Sequence, residues 1–178
     1  MYNTTAKNKG IGHSWRKSII NAVILCGQSQ LSNIKYQAFL NNIIAIECLV
    51  APTSKHRDTI INAIEIFLGW TGKWENKKES LREIVSDIYD KRCDLVHQGK
   101  IHEITDKDLF YSDVFLFNIL NNILRHLDIF STKDSVQKQI EKFYAFKTLE
   151  MKPEILPSSR SFLDKEFNPI EYEGLREF

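Results

Sequence analysis

Arg92 and His97, five positions apart, set a charge that interrupts an apolar stripe close to a side chain suited to acid–base work. A guanidinium among apolar residues needs a counter-charge or a water-filled cleft. An imidazole can accept and return a proton near neutral pH. His97 falls in the last turn of an expected helix, just before Gly99, where the helix dipole favours a cation. At about 100° per residue, however, the two side chains leave an ideal helix about 140° apart. They can meet only if the helix loosens near Gly99, or if a second copy of the chain supplies its own pair across a two-fold axis. The ordinary alternative for a lone histidine is a core or capping role.

The helix that carries them reads from about Lys78 to Gln98, striped by Leu81, Ile84, Val85, Ile88, Leu95 and Val96, with Gly99 as a natural C′ residue. Arg92 lies four residues after Ile88 and four before Val96, inside that stripe. A second helix, about Ser32 to Ala51, is striped by Leu40, Ile43, Ile44 and Ala51, and Pro52 stops it. Glu47 interrupts its apolar face in the same way. A charge buried alone is costly, so each residue needs a partner or a water-filled cleft. Two readings stay open: an interior salt bridge of structural use only, or a working cleft in which Glu47 fixes the guanidinium of Arg92.

The remaining elements are also helical. The first helix should run from about His13 to Ser29, with Trp15, Ile19, Ala22, Val23 and Cys26 on one face. Ser54 is placed to cap a third, which presents Ile60, Ile61, Ile64, Phe67 and Leu68 and ends near Gly69. Thr105 can cap a fifth through Phe130, apolar nearly all round and therefore the expected central element. Ser131 to Ser135 reads as a break before a sixth helix bearing Val136, Ile140, Phe143 and Tyr144. With only 7 Gly and 4 Pro in 178 residues, and three of the prolines beyond Lys152, most of the chain is free of helix breakers. The fold class expected is all-α, a bundle of about five to six helices. It divides into a flexible lead (1–12), one helical domain (13–150) and an extended tail (151–178).

Composition bounds the function. A net charge of +1 argues against a general nucleic-acid coat, which needs a basic excess, but leaves room for an enzyme that grips a few phosphates. Cys26, Cys48 and Cys93 form no Cys-x-x-Cys and fit a reducing, cytoplasmic setting. Arg16 and Lys17 before the apolar run Ile19 to Cys26 imitate a leader peptide, but Asn21 interrupts the run and Leu25 is too bulky for a lipobox. No stretch has the length of a membrane span. His13, His56, His102 and His126 lack metal-ligand spacing, so no metal and no cofactor is expected. Ser112 and Asp113 make no case for a catalytic triad, and no phosphate-cradling glycine loop occurs. Trp70, Lys73 and Trp74 could stack on and neutralise RNA, or simply pack on a neighbouring helix. Lys100 and His102 are closer to the Arg–His pair and suit either substrate contact or a solvated loop.

The segment Ile88-Tyr89-Asp90-Lys91-Arg92-Cys93-Asp94-Leu95-Val96-His97-Gln98-Gly99 resembles the signature of the HEPN superfamily. It is most similar to the Apea-like branch, where Tyr-x-x-Arg-Ser-x-x-Val-His-Gly ends a helix. Upstream, Ala45-Ile46-Glu47-Cys48-Leu49 resembles that branch's Ala-Leu-Glu-x-Leu helix, and the likeness runs from roughly Trp15 to Phe130. Cys93 stands where a small polar residue is usual, and Gln98 intervenes before the glycine. Asp94, about 60° from His97 on the wheel, is the nearest substitute for that polar group.

The resemblance implies a HEPN-like bundle and a metal-independent endoribonuclease with Arg92 and His97 as catalytic pair, supported by Glu47, Tyr89, Cys93 and Asp94. It also implies a homodimer in which two Arg–His motifs face each other, with RNA as substrate. Many relatives are toxins or abortive-infection effectors against phage, so an antitoxin or regulatory partner is a further expectation. The alternatives are a catalytically silent HEPN module for protein assembly or small-ligand binding, or one domain of a larger defence protein.

Overall fold

A computed structural model describes residues 11–51, 57–69 and 80–151, and the statements that follow concern those residues. They form six α-helices and no strand: α1 (His13–Gln30), α2 (Lys35–Val50), α3 (Arg57–Gly69), α4 (Leu81–Gln98), α5 (Asp106–Arg125) and α6 (Lys133–Thr148). A single 3-10 turn, Ile101–Glu103, joins α4 to α5. The chain is thus an all-α bundle. The sequence-derived Ser54 cap, the 1–10 part of the lead and the tail beyond Met151 lie outside the described residues.

Local chemistry starts the helices. Ser80 and Glu83 form a reciprocal capping box on α4, Thr105 and Asp108 form one on α5, and Thr132 and Ser135 form one on α6. These caps put the α4 start after Ser80 rather than near Lys78, and draw Lys133 to Ser135 into α6 rather than into a break. The end of α5 falls at Arg125, five residues short of the expected Phe130. There the chain turns through His126, which places the Phe130 side chain in the core and its carbonyl 2.6 Å from the indole Nε1–H of Trp15.

Packing completes the bundle. α1 and α2 form a helical hairpin, and α2 lies against α5. The hairpin is pinned at one end by the Trp15–Phe130 bond and at the other by Gln30, which donates to Asp113 on α5 at 2.9 Å. Gln137 of α6 donates to the Val50 carbonyl at the end of α2. The core gathers Phe39, Ile43, Ile46, Leu49, Ile60, Phe67, Ile88, Phe115 and Ile119, all fully buried. Three expected stripe residues point outward instead: Val23 on α1 and Val96 on α4 are each 48% exposed, and Tyr144 on α6 is exposed as well. On α2 the buried face centres on Ala38, Phe39, Asn42, Ile43 and Ile46, so Leu40, Ile44 and Glu47 lie at its margin.

Lys91 ties α4 to the start of α5, with its Nζ 2.8 Å from both Asp108 and Asp87. Burial opposes the Lys91 charge, but the hydrogen bonds to the two carboxylates outweigh it and hold its pKa above the ordinary lysine value. Asp108 also completes the α5 cap through Thr105. Replacing it by Ala leaves the half-buried ammonium with only the exposed Asp87 and removes the cap together, so Asp108→Ala is expected to cost about 2–3 kcal/mol in urea unfolding. Asp87→Ala, at the exposed end of the same cluster, is expected to cost less than about 0.5 kcal/mol. Equal losses would show that the buried arm has no special weight.

Candidate active site

α4 keeps its regular form to Gln98. Gly99 closes it in the left-handed region (φ 67°, ψ 25°), its N–H on the Leu95 carbonyl at 3.2 Å. A side chain at this position would be strained, which is the reason for glycine there. The helix therefore does not loosen, and Arg92 and His97 leave it in different directions.

Arg92 turns toward α2. Its Nη2 lies 3.0 Å from Oε2 of Glu47, and the Tyr89 hydroxyl donates to Oε1 of the same carboxylate at 3.3 Å. The guanidinium carbon sits 5.9 Å from the centroid of the Tyr89 ring, within the range of a cation–π contact. The Arg92 and Glu47 side chains are 20% and 19% exposed, so the pair is neither free in water nor sealed. Arg92 Nε is buried without an acceptor, which means that Glu47 engages one edge of the guanidinium only. Burial, and then the Glu47 charge, push the Tyr89 phenol up to about 12. It therefore remains a proton donor to Glu47 across the physiological range.

His97 is exposed and makes no hydrogen bond or ion pair to another described residue. Asp94 is engaged elsewhere: Gln98 Nε2 donates to its Oδ1 at 2.8 Å and Lys100 Nζ sits 2.9 Å from its Oδ2. Lys100 also lies 3.7 Å from Glu103, and its hydrogen bond to Asp94 raises its pKa. His102 is exposed on the 3-10 turn. Cys93 is half-buried against the core, while Cys48, next to Glu47, has its thiol pushed up by burial. Trp70, Lys73 and Trp74 lie outside the described residues. The structure thus gathers Glu47, Tyr89 and Arg92 into one cluster, holds Asp94 and Lys100 as a second, and leaves His97 between them facing solvent.

One polar cluster escaped the sequence analysis. Asn42 of α2 donates to Ser112 Oγ at 3.0 Å and to Asp113 Oδ1 at 2.7 Å, and all three are buried. The available signal was Asn42 itself, a carboxamide inside the run Phe39 to Leu49. Among the described residues no three His, Cys, Asp or Glu side chains gather as a metal-holding group, and no helix is long and apolar enough to cross a membrane.

With this geometry in view, comparison with known proteins adds nothing further: no family model, no curated protein and no solved structure matches the chain.

The Tyr89–Glu47–Arg92 geometry has two measurable consequences. Glu47→Ala leaves a largely buried guanidinium without its counter-charge and is expected to destabilise the fold by about 1–3 kcal/mol in urea titrations. The Tyr89 pKa is higher folded than unfolded, so its contribution to stability is fully present below the unfolded value near 10 and is lost as pH rises toward 12. Wild type should therefore lose more stability between pH 10 and 12 than Tyr89→Phe does. Parallel curves would mean that the phenol is not held in the way described.

Proposed function

We propose that the chain is a HEPN-type endoribonuclease, metal-independent and active as a homodimer. The observation that carries this reading is the separation on α4: a guanidinium anchored from one side by Glu47, and, about 1.4 turns on, an exposed histidine facing away, with no partner among the described residues. A two-fold pairing of α4 C-terminal ends gives each His97 a guanidinium from across the axis. Val96 and Ile101, both exposed beside His97, supply apolar surface for such a contact.

In the proposed reaction His97 takes the proton of the ribose 2′-OH, or returns one to the leaving 5′-oxygen. The 2′-oxygen attacks the adjacent phosphorus, and the products are a 2′,3′-cyclic phosphate and a 5′-hydroxyl. Arg92 holds the scissile phosphate and offsets its growing charge. The nucleophile belongs to the RNA, so DNA is inert. Lys100 and His102 flank the site as RNA contacts, with Trp70, Lys73 and Trp74 as further candidates from the sequence. The setting proposed is cytoplasmic, as a toxin or abortive-infection effector held in check by an antitoxin or other regulatory partner, either alone or within a larger defence protein.

A second reading is favoured by two specific contacts. Glu47 already neutralises Arg92, and Asp94 is turned to Gln98 and Lys100 rather than to His97. Both suit a silent HEPN module that assembles proteins or binds a small ligand.

The two readings separate in one assay. The purified chain in EDTA, given total RNA and matched single-stranded DNA, is expected to cut RNA only and leave 2′,3′-cyclic ends. Arg92→Ala and His97→Ala are each expected to lower the rate by roughly a hundredfold or more. Folded wild type and variants that are equally inert toward RNA would favour the silent module.

A further inference from the structure

α1 is apolar on two sides. Trp15, Ile19, Ala22 and Cys26 are buried against the bundle, yet Ile20 and Ile24, with Leu31 at the C-cap, lie on the opposite face, from 46% to 86% exposed, and Val23 between the two faces is 48% exposed. Ile20, Ile24, Gly27 and Leu31 are spaced four, three and four residues apart, which is the repeat of a coiled-coil seam. A Cβ built at Gly27 would meet nothing within 4 Å, so the middle of that seam is a shallow, open hole. The inner face is committed to α2, and the helix is pinned at both ends through Trp15 and Gln30. The outer seam is therefore rigidly presented.

We infer that this seam is a self-association surface, on which α1 packs antiparallel against α1 of a second copy about a two-fold axis between Ile24 and Gly27. In that register Ile24 of each copy enters the hole over Gly27 of the other, and Ile20 meets Leu31. Large faces small and the contact is self-complementary, as a two-fold interface requires. Charge selects the same direction. α1 has no acidic residue in its first turn and no basic residue in its last, while Arg16 and Lys17 lie near its N-terminus. Antiparallel packing turns those cations toward the carbonyl end of the partner helix, where the dipole is negative. Parallel packing sets them against each other. The surface is independent of the ribonuclease reading, because it lies on α1 and not on the α4 end that carries His97. If both contacts form, the two distinct two-fold axes build tetramers or longer chains rather than a closed dimer.

Sedimentation of the full chain over a wide concentration range tests this. Ile24→Lys should raise the dissociation constant of one association step by roughly a hundredfold or more, with helical content unchanged. Gly27→Gln should raise the melting temperature of the dilute protein, because it replaces a mid-helix glycine that has open space around it, and should still weaken self-association. A purely structural role for Gly27 does not produce that split. Ile24→Cys combined with Gly27→Cys should cross-link copies better than either alone, whereas a parallel pair would make Ile24→Cys alone the best cross-linker and overturn the antiparallel register. A wild type that stays monomeric, or an Ile24→Lys variant that associates like wild type, overturns the proposal. So does an Ile24→Lys variant whose only defect is weaker binding to anionic phospholipid vesicles. Val96→Lys, beside His97, separates the two contacts: it should impair RNA cleavage while leaving the α1 step intact.

Discussion

Three consecutive residues of α4 reach three different helices, and the rotation of that helix about its own axis depends on them. Asp90 receives Arg57 of α3 at 2.9–3.1 Å, Lys91 binds Asp108 at the head of α5, and Arg92 binds Glu47 of α2. At about 100° per residue, successive side chains fan out over more than half of the helix circumference. The three contacts differ in weight. The Arg57–Asp90 pair is exposed and adds little, whereas Asp108 and the Arg92–Glu47 pair are largely removed from water. Together with Ile84, Val85 and Ile88 in the core, they leave α4 one rotational setting.

That setting decides what the candidate site can be. With Arg92 drawn to α2 and the helix regular to its Gly99 cap, His97 has no route back to the guanidinium of its own chain. Glu47 does not close the matter by neutralising Arg92, because it takes one edge of the guanidinium and shares its other oxygen with Tyr89. An unpaired buried Nε costs about 1–3 kcal/mol, so the cluster holds a polar demand that it does not meet internally.

The sequence made the charged pair legible because a carboxylate and a guanidinium each interrupted an apolar stripe, and each could be discharged only by the other or by water. The helices themselves were legible from period and caps, down to Thr105 on α5 and Gly99 after α4. Ends were harder to read where tertiary contacts ended a helix that its own residues could have continued, as when the Trp15 indole claims the Phe130 carbonyl. Facial errors at Val23 and Val96 have a common source. A wheel shows which residues are apolar, but it does not show where a neighbouring helix stops covering them. Polarity inside α5 was hidden for another reason. Asn118 and Asn122 donate back to the Val114 and Asn118 carbonyls four residues earlier, and Ser112 and Asp113 are met by Asn42 across the α2 interface. A helix apolar nearly all round thus carries buried polar groups that are met partly by its own carbonyls and partly across the α2 interface.

The departures from the HEPN-like pattern bear on the same geometry. Cys93 stands where the pattern has a small polar residue, and it packs against the core. Asp94, the nearest replacement, is drawn away by Gln98, the residue inserted before the glycine, and by Lys100. The two departures therefore act together: the first removes the group that could orient His97 locally, and the second occupies its substitute. An imidazole without a partner among the described residues takes its tautomer and direction from whatever meets it. If this chain cuts RNA, the histidine is ordered by the partner subunit or by the substrate, and catalysis begins only on assembly. If it does not, Arg92 and His97 remain two separate features of α4, one drawn to α2 and the other turned to solvent.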